Sequence, residues 1–227
     1  MKTNIKSDRM LRYINRIQFT LLAFLAAGAA LAQTKVDFQN LSRVTVENRK
    51  AETVAENGRQ VIKLSEAEGD GLAILNDIEF SSGTIEFDVK GRNVLQASFV
   101  GVAFLLQDRN HYDAIYFTPF NFMNADTARR HRAVQYVSHP DYPWDKLREQ
   151  HPGKYEHKVS PVPDPDGWFH AKVVVDGKNV SVYVNNSPSP SLQVTRLTDA
   201  TAGKIALWTG NGSNGDFANL VVTKKGK

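Results

Sequence analysis

From Gln33 onward the chain reads as one short run of β-branched and aromatic residues after another. The runs are VDFQNLS (36–42), VIKLS (61–65), GLAIL (71–75), GTIEFDVKG (83–91), SFVGVAFLLQD (98–108), YDAIYFTPF (112–120), RAVQYVS (132–138), WFHAKVVVDGKNVSVYVN (168–185), GKIALWTG (203–210) and FANLVVTK (217–224). In GTIEFDVKG, Ile85, Phe87 and Val89 alternate with Glu86, Asp88 and Lys90, the period of a strand with one apolar and one solvated face. Phe169, Ala171, Val173 and Val175 form a similar row, which leaves Trp168, His170, Lys172 and Asp176 on the other face. Beyond the turn signal Asp176-Gly177-Lys178-Asn179, Val180, Val182 and Val184 point inward again while Ser181, Tyr183 and Asn185 point outward, which makes a β-hairpin. Many strands, few helices and no repeat predict an all-β, antiparallel two-sheet sandwich.

One segment breaks the pattern. Between His139 and Gly167 lie 29 residues with six of the nine prolines, a length that in a compact domain points to function or disorder. Tyr142, Trp144 and Tyr155 argue for a packed loop, and WDKLREQ (144–150) for a short helix within it.

The N-terminus carries a different message. Lys2, Lys6, Arg9, Arg12 and Arg16 precede a 14-residue apolar run, Phe19 to Ala32, that closes on Ala30-Leu31-Ala32. These are the parts of a secretory signal peptide, and the run is too short for a membrane span, which needs roughly 20 residues. The expectation is a cleaved leader over residues 1–32 and one domain over 33–227, with an uncleaved anchor as the alternative. The mature protein is then exported, periplasmic or extracellular, with no transmembrane segment. The leader holds five of the 28 Lys/Arg and one of the 24 Asp/Glu, so the mature chain is left with 23 of each. It has no global positive field for nucleic acid, and with no cysteine it has neither disulfides nor thiolate metal sites.

The order of GTIEFDVKG, SFVGVAFLLQD, YDAIYFTPFNF, AVQYVSHP, PDGWFHAKVVVDGKNVSVYVN and GKIALWTGNGSNGDFANLVV resembles the concanavalin A-like lectin/glucanase superfamily over nearly all the mature chain. Within it the chain is similar to laminin-G-like and 3-keto-disaccharide hydrolase domains of secreted bacterial proteins. The resemblance implies a jelly-roll sandwich with one long proline-rich loop. Laminarinase-type members carry Glu-x-Asp-x-x-Glu on one strand face. Glu86 and Asp88 match, but the third position is Gly91, which supplies neither proton nor charge for a retaining mechanism. Relatives often have an arginine where Thr118 stands.

The candidate ligand-binding residues are a sugar platform that includes Tyr116, Gln135, Trp144, His170 and Tyr183, and a separate arginine cluster. Trp168, His170, Lys172 and Tyr183 share a sheet face of the kind that suits a sugar, with Trp144 on the long loop as a wall. The Arg129, Arg130, Arg132 cluster is the second candidate, where paired hydrogen bonds could grip an acidic sugar. His139, His170, Asp113 and Glu156 are the candidate bases. No histidine pair has a compact zinc spacing, and no Gly-x-Ser-x-Gly elbow is present. Asp216, beside the Asn-Gly turns of GNGSNGDF, is a candidate ligand for a structural calcium, the one cofactor considered, against a plain turn.

Three functions remain open: an exported domain that binds an oligosaccharide or glycoside, an enzyme of the 3-keto-glycoside hydrolase type, and a laminin-G-like module that binds protein. The resemblance makes the enzyme plausible without paired carboxylates, since a C3 carbonyl acidifies the C2 proton for a single base. The leader gives the first test. Mass spectrometry of the exported protein should find its N-terminus at Gln33, and an intact leader on secreted protein would overturn the assignment.

Overall fold

The computed structural model describes residues 32–226; the expected leader lies outside them except for its last residue, Ala32. The strands are β1 (Ala32–Lys35), β2 (Val44–Glu47), β3 (Ala51–Glu56), β4 (Arg59–Leu64), β5 (Gly71–Phe80), β6 (Gly83–Lys90), β7 (Val100–Asp108), β8 (His111–Phe117), β9 (Val134–His139), β10 (Glu156–His157), β11 (Phe169–Asp176), β12 (Asn179–Val184), β13 (Leu192–Thr195), β14 (Gly203–Thr209) and β15 (Gly215–Lys224). Two short helices, α1 (Thr127–Arg130) and α2 (Trp144–Gln150), flank β9. Among the described residues no helix is long and apolar enough to cross a membrane.

The strands form two antiparallel sheets. The first runs β13-β12-β11-β6-β15-β4-β3, with β1 also on β15; the second runs β10-β9-β8-β7-β14-β5-β2. Strand β15 serves two partners on one edge. Its first half pairs with β4 and its second with β1, on either side of a bulge where Asn219 takes φ +52°. The β11–β12 hairpin closes as its sequence predicts, with Asp176 opposite Asn179 and Gly177 at φ +58°.

The sheets meet in a core of large side chains. Phe169 of the first sheet lies edge-on to Phe117 of the second at 5.0 Å between ring centres, and Phe122 packs on it at 5.3 Å. In the first sheet Ile85, Phe87, Val89, Ala171, Val173 and Val175 are buried while their neighbours on β6 and β11 are partly exposed, the expected alternation. The second sheet is different: β8 and β9 are buried at nearly every position, as is β7 up to Leu106. Both of its faces are therefore covered, and the outer one carries Tyr112, Tyr116 and Trp208. The proline-rich segment is packed, as its aromatic residues imply: Leu147 of α2 and Tyr155 are buried, Tyr155 against Tyr136, and β10 adds to the edge of β9.

Asp113 corrects one expectation. It alternates with Tyr116 across β8, so its side chain faces the core beside Ile115 and Phe117, where no ligand on the outer face reaches it. It is fully buried, and neither carboxyl oxygen meets a donor in good geometry. Burial pushes its pKa up from 3.8 to about 6, and the nearby hydroxyls of Ser138 and Tyr136 offset this only in part. The folded state thus holds the proton more tightly than the unfolded chain. The cost is absent below about pH 4, grows up to about pH 6 and is constant above, at roughly 2–3 kcal/mol. Asp113→Asn should therefore be more stable than the parent by that order at pH 8, and the two should converge near pH 4 in denaturant titrations. A gap independent of pH would show that the carboxyl is not titrating as its burial requires.

Candidate functional site

A cleft of about 500 Å³ opens on the outer face of the second sheet. Its floor follows from strand register. Trp208 on β14, Gly101 on β7 and Tyr116 on β8 stand side by side across three strands. Strands two apart are separated by roughly 10 Å, yet the Trp208 and Tyr116 rings approach to 5.0 Å with planes 31° apart. They meet over Gly101, where a Cβ would run into the Ile115 carbonyl. Phe99 lies edge-on to Tyr116 at 6.1 Å and Phe120 edge-on to Phe99 at 5.5 Å, which extends the aromatic surface.

Hydrogen bonds fix this floor to its walls. Tyr116 donates to Gln135 Oε1 at 3.0 Å, and Arg148 Nη2 donates to the same oxygen at 3.3 Å. Gln135 Nε2 donates to the Arg132 carbonyl at 3.0 Å, which also accepts from Thr118 Oγ1 at 2.7 Å. Gln135 and Thr118 are thus framework. Where the resemblance puts an arginine, this threonine anchors the 118–132 loop, and it also accepts from Asn121 Nδ2 at 3.0 Å. Burial pushes the Tyr116 hydroxyl pKa up, so it stays a neutral donor.

Helix α2 supplies one lip. Trp144, 52% exposed, and Arg148 lie four residues apart on the same side, the guanidinium 4.8 Å from the ring centre. Glu156 on β10 holds Arg148 with bonds of 2.7 to 3.2 Å. Asp70 reaches the opposite side because Arg49 clamps its loop. That guanidinium donates to the carbonyls of Asn48, Gly69, Thr209 and Gly210 and to Thr209 Oγ1, and Asn48 Nδ2 donates to the carbonyls of Glu68 and Asp70.

The cleft has two chemically different ends. Arg132 precedes β9 and His139 ends it, so they are separated by the strand, about 20 Å at 3.3 Å per residue. Arg129, Arg132 and Arg148 gather at one end. At the other, His139 packs on Tyr112 at 5.0 Å, its Nε2 4.0 Å from Asp70 Oδ2, which accepts from the Tyr112 hydroxyl at 3.0 Å. Burial lowers the His139 pKa against the pull of Asp70 and Asp145, which favours the neutral imidazole.

No protein-family model and no curated protein matches the chain. Solved structures do. The chain is similar to a family 66 carbohydrate-binding module from Bacillus subtilis, 13% identical over 78% of this chain and 93% of that one, with a TM-score of 0.57. It is also similar to a Bacillus subtilis protein of unknown function with a galectin-like fold (14%, 86% and 97%, TM-score 0.56) and to a native glycosidic hydrolase (14%, 86% and 97%, TM-score 0.54). The fold is a concanavalin A-like jelly roll. At such identities the likeness is one of architecture, and function has to be argued from the site.

This jelly roll splits the expected sugar platform: Tyr116, Gln135 and Trp144 lie on the outer side of one sheet, His170 and Tyr183 on that of the other. Tyr116, Arg129, Arg132, Gln135, Trp144 and His139 line the cleft. Arg130 does not: it turns back to the carbonyls of Asn124 and Ala125 and to Thr127 Oγ1. Trp168, His170, Lys172 and Tyr183 lie on the outer face of the other sheet, so the expected wall, Trp144, stands over a different surface from theirs. There the side chains satisfy one another. His170 bridges Asp88 at 2.9 Å and Glu86 at 3.4 Å, Arg59 stacks on Trp168 at 4.3 Å, and Lys172 on Tyr183 at 4.8 Å. Gly91 is closed as well as uncharged, since a Cβ would sit 2.8 Å from Pro119 Cγ.

Asp216 sits in β15 with Oδ2 3.7 Å from Lys63, and the carbonyls of Thr209 and Gly210 accept from Arg49. Among the described residues no three His, Asp or Glu side chains gather as a metal site needs. Trp208, Asp70 and Phe99 were missed as candidates. Trp208 had a signal, as an aromatic residue inside the unbroken apolar run GKIALWTG; Asp70, in a polar loop, had none.

The His170 bridge has a pH signature. The Asp88 hydrogen bond, opposed by burial and helped by Glu86, raises the His170 pKa. Its stabilisation is full below the ordinary histidine value near 6.5 and is lost as pH rises through the raised one. Asp88→Asn should flatten that decline in denaturant titrations between pH 6 and 9. An unchanged profile would mean that the bridge does not form in solution.

Proposed function

We propose that this chain is an exported carbohydrate-binding domain whose site is the cleft on the second sheet. The observation that carries this reading is an aromatic floor framed by polar groups with spare bonding capacity. Flat rings pack on the C–H faces of a sugar, while polar groups take its hydroxyls. Trp144, half-exposed at the lip, supplies an open ring beside a floor of Trp208 and Tyr116, which pack on each other and are each 4% exposed. Arg129 and Arg132 supply donors: both line the cleft, and among the described residues neither guanidinium makes a hydrogen bond. The similarity to a carbohydrate-binding module and a glycosidic hydrolase fits this reading. The basic leader and its Ala-Leu-Ala end support export.

A second reading, an enzyme acting on an oxidised glycoside, has one observation in its favour. Of the four candidate bases, His139 alone lines the cleft as a free imidazole; Asp113 is in the core, His170 is on the other sheet and Glu156 is held by Arg148. As base, His139 would take the C2 proton beside a C3 carbonyl as the C1–O bond breaks; the departing oxygen takes a proton from water, the resulting hydroxide adds at C1, and His139 returns its proton to C2.

Titration calorimetry against an oligosaccharide panel tests the binding site. Trp144→Ala should weaken binding by about 5- to 30-fold, the equivalent of roughly 1–2 kcal/mol for a stacking ring, with little change in melting because the ring is half exposed. Unchanged affinity for every ligand found would remove the cleft from the site. His139→Ala separates the readings: modest loss of affinity for a binding domain, loss of turnover by about 10² for an enzyme.

A further inference from the structure

The arginines at the β9 entrance are unequal. Arg148 is consumed, with three hydrogen bonds to Glu156, one to Gln135 and a stack on Trp144. Arg129 and Arg132 line the same cleft, yet among the described residues neither guanidinium makes a hydrogen bond. Arg132 comes no closer than 3.9 Å to Glu156, and Arg129 no closer than 3.9 Å to Asp126. Both carboxylates are engaged elsewhere: Glu156 by Arg148, and Asp126 by the Ala128 amide at the start of α1. Within ion-pair reach three positive groups face two negative ones, which leaves one charge unmatched. The loop that carries them is held by its backbone, through the Arg132 carbonyl to Thr118 and Gln135 and through Arg130, so the two side chains are not needed to fold it.

We infer that the cleft takes an anionic carbohydrate, with a carboxylate or sulfate seated between Arg129 and Arg132. This deepens the carbohydrate reading and rests on it. A guanidinium presents paired donors that match the oxygens of either group, and such charge-assisted bonds are stronger than those to a neutral hydroxyl. One anionic substituent matches the single unpaired charge. The aromatic floor beyond Gln135 would hold the adjoining sugar rings, and the Asp70 and His139 end would exclude a second anion, since Asp70 repels it.

The test uses the mature protein and pairs of probes that differ only in charge: oligogalacturonate with its methyl ester, alginate oligomers with their carboxyl-reduced form, and a sulfated agaro-oligosaccharide with its desulfated form. At least one acidic probe should bind about tenfold or more tighter than its neutral partner, and the pair shows whether carboxylate or sulfate is preferred. The gap should shrink as salt rises from about 50 to about 500 mM. Arg129→Gln with Arg132→Gln should abolish the gap, the acidic partner losing about tenfold more affinity than the neutral one, while melting stays unchanged. Neutral probes binding as well as or better than their acidic partners would overturn this inference and leave the carbohydrate cleft standing. If no acidic or neutral glycan binds, both readings fall together.

Discussion

The structure depends on one constraint: the second sheet is covered on both faces. A strand buried on one side alternates apolar and polar residues, whereas β7 and β8 offer apolar or neutral side chains in both directions for most of their length. Their inner rows, Val102, Phe104, Ile115 and Phe117, close the sandwich. The outer row is then free to carry rings, and Gly101 makes those rings a platform by leaving its position between Tyr116 and Trp208 empty. A side chain at that position would push β7 from β8 as well as part the rings, so fold and site share one requirement.

A platform of rings has no direction of its own, and the surrounding polar groups give it one. They divide into those spent on the framework and those left with capacity. Gln135 uses its oxygen on Tyr116 and Arg148 and one amide hydrogen on the Arg132 carbonyl; Thr118 is shared between Arg132 and Asn121; Arg49 makes five bonds to hold the loop of Asp70. What remains is the Arg129 and Arg132 guanidiniums at one end, and His139 beside Asp70 at the other. Because the walls are tied by hydrogen bonds from buried or half-buried groups, these free donors and acceptors are held in place before a ligand arrives, which lowers the entropy lost on binding.

The alternation in GTIEFDVK, FHAKVVVD and NVSVYV was enough to place every inward and outward residue of three strands, because a period of two admits no third orientation. The unbroken runs SFVGVAFLL and YDAIYF were also legible as strands, but their message, a sheet covered on both faces, points to the site and is easily read as mere hydrophobicity. Asp113 shows the limit of reading by residue type. A carboxylate among candidate bases looks functional until the phase of β8 is taken into account, which puts it on the same face as Ile115 and Phe117. The roles of Asp70 and Arg49 could not be read at all. They depend on contacts between segments about 20 to 160 residues apart, and neither local propensity nor period encodes those.

The two sheet faces also show why density of chemistry is a poor guide to a site. The outer face of the first sheet holds Glu86, Asp88, His170, Arg59, Lys172, Trp168 and Tyr183, a set as rich in charge as the cleft's. Yet Asp88 alone accepts from His170 and Asn219 and lies 3.6 Å from Arg59, and burial, which would raise its pKa, is outweighed by these partners. A ligand arriving there would have to break charge-assisted bonds to make its own, and the net gain would be small. In the cleft Trp208 and Tyr116 are each only 4% exposed, but Trp144 is half-exposed and, among the described residues, the Arg129 and Arg132 guanidiniums make no hydrogen bond. Binding there replaces water rather than existing partners, so the unspent capacity of a surface, and not its number of polar groups, is what marks it for a ligand.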